Sequence, residues 1–190
     1  YSIDIHCHST MRNWHNSSPS KKNNYWDENL NEIILSAVGK YALSKSKGVA
    51  KYSQSNFNNC IEGGVRVIVD SLYPIERGFI NHRYFTKKIL GKKNTKALVV
   101  NSTGVSQYRF DKYLEKDDYF FELQLQYDFL INNQGLSPCG KSSYKVVNNH
   151  TELEEWLNNN QRNLAVIVPI EGAHVLGCGT QKSNKIPFEI

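Results

Sequence analysis

The stretch Asp4-Ile5-His6-Cys7-His8-Ser9 sets two imidazoles one residue apart. On an extended strand, positions two apart project to the same side, so His6 and His8 are placed to grip one divalent cation. Asp4 belongs to the same alternating set, whereas Ile3, Ile5 and Cys7 form the opposite, apolar one. Glu171 is the second candidate. It ends the apolar run Leu164 to Ile170 and precedes Gly172, which lets the chain turn sharply. A carboxylate at such a strand end is able to bridge two cations. His174 reads as a side chain that supports the ligands, faces substrate or lies in the loop, rather than as a ligand. Asp70 closes the run Val65 to Val69 and reads as a capping or turn-forming residue together with Ser71. His15 is expected in an exposed loop. His82 and His150 receive no role, and Lys87, Lys88, Lys92, Lys93 and Lys96 read as a solvated face.

These residues need elements to hold them. The alternation from Ser2 to Ser9 predicts a strand, and Thr10 to Asn29, rich in Ser, Asn and Lys, a long loop after it. Leu30, Ile33, Ile34, Ala37, Val38 and Tyr41 have helical spacing. Ser53 to Ile61 reads as a helix stopped by Gly63 and Gly64, leading into a buried strand from Val65. Further helices are expected over 76–90 and 107–133, with a short strand at Ala97 to Val100 between them. Thr151 and Glu154 have capping-box spacing for a helix through Trp156 and Leu157, which leads into the strand at Leu164. Runs of Val and Ile separated by helices predict an α/β fold with a parallel sheet.

Composition narrows the function. The 190 residues suit one domain, and 23 basic against 18 acidic residues, without a block of one sign, do not require nucleic acid. The 12% aromatic content lacks basic residues in register, so base-stacking platforms are not indicated. No run approaches the ~18 apolar residues of a membrane span. A soluble protein is expected, with the cytoplasm favoured, although a chain beginning at Tyr1 leaves room for a removed upstream segment. Cys7, Cys60, Cys139 and Cys178 form no C-x-x-C pair and mostly read as small buried hydrophobes.

Asp4-Ile5-His6-Cys7-His8-Ser9-Thr10 and Ile170-Glu171-Gly172-Ala173-His174 together resemble the amidohydrolase superfamily, and within it the membrane-dipeptidase branch. In that branch a D-x-H-x-D motif supplies two metal ligands from the first strand, and an E-G-G-H motif supplies a glutamate that bridges two zinc ions. His6 matches the first ligand and Glu171 the bridge. His8 stands in place of the second aspartate, as in the H-x-H of the wider superfamily, and Ala173 in place of the second glycine.

The resemblance implies a (β/α) barrel of TIM type, of which residues 1–190 form a single N-terminal part, because such barrels need about 250 residues. It also implies His6, His8 and Glu171 as metal ligands, Glu171 as the catalytic carboxylate, and zinc as the cofactor, as one ion or two. The expected substrate is a small amide or dipeptide. A further chain or a C-terminal half would supply the remaining ligands, so the 190 residues alone are expected to be a poor catalyst. Two alternatives stand beside this reading: a phosphoesterase resembling the polymerase-and-histidinol-phosphatase family, which also opens with D-x-H-x-H, and a non-catalytic partial barrel that binds a ligand.

Overall fold

The computed structural model describes residues 1–15, 24–26, 55–76, 106–115 and 118–176. Expectations for 30–41, 77–105 and 177–190, including His82, the lysine run, the strand at Ala97 and Cys178, lie outside the described residues. So do those for most of the loop after His15.

The order is β1 (Ser2–Cys7), α1 (Ser9–His15), α2 (Phe57–Glu62), β2 (Val65–Asp70), α3 (Gln107–Glu115), α4 (Tyr119–Asn132), β3 (Gly135–Leu136), β4 (Ser143–Val146), α5 (His150–Asn159), β5 (Asn163–Ile167) and a 3₁₀ turn at Ala173–Leu176. The strands form one sheet in the order β1-β2-β5-β4-β3, parallel except for the β3–β4 pair. The fold is therefore α/β with a mostly parallel five-stranded sheet.

Alternation along the strands sends side chains to two cores. Ile68, Val166, Leu164, Val146 and Tyr144 meet α2 through Phe57, Cys60 and Ile61, and α4 through Leu130. Tyr25 is fully buried there and stacks on Phe57 with centroids 4.8 Å apart. On the opposite face Val67 and Ala165 pack against Leu153, Trp156 and Leu157 of α5. Helices thus cover both faces, as right-handed crossovers require when β1 to β2 and β4 to β5 run in opposite directions across the sheet.

Several local expectations are corrected. Thr10 to His15 is helical, because Asp70 caps α1 from the end of β2. Its carboxylate accepts from Thr10 N at 3.1 Å and Thr10 Oγ1 at 2.6 Å. The helix expected over 107–133 is two helices, α4 being started by Asp118, whose side chain accepts from Phe121 N. The α5 cap is Asn149, not Thr151. Asn149 accepts from Glu152 N, and Glu152 accepts in return from Asn148 N, a reciprocal cap two residues earlier than expected.

The alternation of β1 is also broken. Asp4 pairs with Ile68 but Cys7 with Asp70, so three steps on β1 oppose two on β2. Cys7 consequently joins the core, while Ile3 and Ile5 are 55% and 79% exposed rather than sharing its face.

Candidate metal centre

Three parallel strand ends are tied together by backbone bonds. Ser71 N donates to Cys7 O at 2.9 Å, Leu72 N to Pro169 O at 3.0 Å, and Glu171 N to Leu72 O at 3.0 Å. Pairing thus continues past β2 and β5, including a parallel bridge from Leu72 to Ile170. This fixes where Glu171 leaves the sheet relative to His6 and His8.

The three side chains converge. His6 Nε2 lies 3.4 Å and His8 Nε2 3.2 Å from the same carboxylate oxygen, Glu171 Oε2. One ligand atom from each residue lies within 4.8 Å of the others, and this is the one such group of three among the described residues. Asp4 is not a member. The irregularity in β1 intervenes, and its Oδ1 instead accepts from His6 N at 3.1 Å.

Ser71 orients both rings. Its carbonyl lies 3.1 Å from His8 Nδ1 and its hydroxyl 3.4 Å from His6 Nδ1. A carbonyl only accepts, so His8 Nδ1 must donate, and in the neutral ring Nε2 is then a lone pair aimed at Glu171. Glu171 Oε2 is buried and has no hydrogen-bond partner. A carboxylate oxygen facing an imidazole lone pair at this distance is repelled unless a proton or a cation lies between them. The donor set, two imidazole nitrogens and a carboxylate oxygen, suits zinc and leaves coordination positions free.

His174 is held away from this group. Its Nε2 donates to Pro74 O at 2.8 Å, and its ring meets Tyr119 and Tyr73 edge-on at 4.8 and 5.6 Å. Tyr73 also approaches the His8 ring at 6.3 Å. Burial first, and then the charges of Glu76 and Glu171, raise its phenol pKa. Asp70 serves the helix cap. Burial pushes its carboxyl up to about 6 against the pull of the Thr10 hydrogen bonds. His150 is exposed at the start of α5, 3.5 Å from Glu154. The His15 side chain lies outside the described residues.

Ser71 and Tyr73 are the site neighbours that sequence reasoning missed as such. Their position directly after a buried strand ending, Val69-Asp70, was the available signal.

Comparisons with protein-family models, with curated proteins and with solved structures give no match. No helix among the described residues is long and apolar enough to cross a membrane.

Proposed function

We propose that this chain carries a metal-dependent hydrolase centre of amidohydrolase type, with His6, His8 and Glu171 as ligands and a small amide or dipeptide as substrate. The observation that carries this reading is the convergence of two imidazole nitrogens on one buried carboxylate oxygen, Glu171 Oε2. A divalent cation held there, zinc by ligand type and in one or two copies, would supply Lewis acidity and a more acidic water. Ser71 fixes the two rings so that both Nε2 atoms point inward. Glu171 has a second oxygen, Oε1, to take a proton from the attacking water as its oxygen adds to the amide carbonyl, and to return that proton to the leaving amine.

The finer architecture is part of the same proposal. In a partial TIM-type barrel these strand ends would form the catalytic mouth. Helices on both faces suit an open doubly wound sheet better than a barrel, whose helices form an outer ring only, and in such a sheet ligands bind outside the same carboxyl ends. A phosphoesterase is the weaker reading, because Glu171-Gly172-Ala173-His174 fits the dipeptidase motif better.

The test is a paired assay of dipeptides and phosphomonoesters with added zinc, on the full chain and its Glu171→Gln variant. Slow dipeptide turnover that needs zinc and is lost in E171Q supports the proposal. Zinc-dependent phosphomonoester turnover alone would replace it.

A further inference from the structure

The support of all three candidate ligands runs through one short segment, Ser71-Leu72-Tyr73. Ser71 faces Nδ1 of both histidines, and Leu72 O accepts from Glu171 N, so a shift of this segment moves the three side chains together. Its far end is held from outside the sheet, by α4. That helix reaches it with two side chains three residues apart, which lie on one face. Leu123 shares a buried cluster with Leu72, and Gln126 Oε1 accepts from Tyr73 N at 3.2 Å.

Gln126 is completely buried, on the face of α4 that also buries Leu123 and Leu130. An apolar side chain there would cover the sheet without the desolvation cost of an amide. The Gln126 Nε2 makes no hydrogen bond of ordinary geometry, so the bond to Tyr73 is the one that accounts for an amide at this position. We infer that Gln126 is a positioning residue of the candidate metal centre, setting His6, His8 and Glu171 through the backbone of Tyr73. The inference rests on the metal-centre reading for its effect on zinc. Its effect on His8 is independent of that reading, because the Ser71 carbonyl selects the Nδ1–H tautomer of His8 only while the segment keeps its place.

Gln126→Met is similar in size and removes the acceptor. Gln126→Glu keeps it, since one carboxyl oxygen accepts from Tyr73 N while the other shares a proton with Glu122, one turn earlier on the helix. Proton–nitrogen correlation spectra of the metal-free full chain at about pH 8, where ordinary imidazoles are neutral, report the His8 tautomer, and calorimetry reports zinc binding. The unmodified chain is expected to hold His8 in the Nδ1–H form. In Q126M that form should give way to a mixture, and zinc affinity should fall about three- to tenfold, at or below the low end for a partner that touches a ligand directly. Q126E should restore both. A lower melting temperature in Q126M with tautomer and zinc affinity unchanged would make Gln126 merely structural and overturn the inference, as would an equal loss in a Q126E chain that melts like the parent. Where the variants fold poorly, hydrogen exchange in the unmodified chain supplies the test. The Tyr73 amide should be protected like those of Leu72 and Glu171, and exchange at the rate of an open amide overturns the assignment. A tautomer that follows Gln126 in a chain that takes up no zinc overturns the metal-centre reading alone.

Discussion

Gly172 joins Glu171, the carboxylate of the candidate metal centre, to the His174 turn, and replacing it with alanine should disturb both. Its φ is +91°, where side chains other than glycine's are strained by roughly 1–3 kcal/mol. A Cβ there would also overlap the His174 ring at Cε1 and Nδ1. That ring cannot simply swing aside. It is 9% exposed, donates to Pro74 O at 2.8 Å and packs edge-on against Tyr119 and Tyr73. Displacing it forfeits a hydrogen bond of about 1 kcal/mol and aromatic contacts of about 1 kcal/mol. With the backbone strain the total is about 3–5 kcal/mol, which for a chain of this size lowers Tm by roughly 6–20 °C. The assay is thermal unfolding of Gly172→Ala, alone and in a His174→Ala background. Without the ring only the backbone strain remains, so the coupling between the two sites should be roughly 1–2 kcal/mol. A melt within about 2 °C of the parent, or an equal cost in both backgrounds, would refute the proposed collision.

Two further outcomes follow from the same geometry. Ser71→Ala removes the hydroxyl at His6 Nδ1 but keeps the carbonyl at His8 Nδ1, so zinc affinity by calorimetry should fall about tenfold, the low end for a ligand-orienting partner. An unchanged affinity would remove Ser71 from the site. Asp70 has its carboxyl raised by burial from 3.8 to about 6, so the folded state holds its proton more tightly and stability from this group is lost as pH rises from about 4 to about 6. Asp70→Asn still accepts from Thr10 without that loss. The denaturant-measured stability of D70N relative to the parent should therefore climb by roughly 3 kcal/mol across this window, and a flat difference would contradict the buried-charge explanation.

The parts of this fold that could be read beforehand were those set by local pattern. Runs of Val and Ile marked β2 and β5, and the i, i+2 spacing of His6 and His8 held through to their meeting at Glu171 Oε2. What escaped was set by partners distant in the chain. The irregularity that buries Cys7 but exposes Ile3 and Ile5 exists only in the register of β1 against β2. The cap of α1 comes from Asp70, sixty residues on from Thr10. The short β3–β4 pair went unread because Ser143-Tyr144-Lys145-Val146 is half polar, although Tyr144 and Val146 alternate as a one-sided strand should. Ser71 was silent because its backbone carbonyl, which no sequence pattern displays, is what holds His8.

The most direct measurement is anomalous scattering at the zinc edge from crystals of the full chain soaked in zinc. The expected result is a peak about 2.0–2.2 Å from His6 Nε2, His8 Nε2 and a Glu171 carboxylate oxygen, absent in crystals of His8→Ala. Well-ordered density for all three side chains with no peak between them, or zinc bound only elsewhere, would contradict the metal centre.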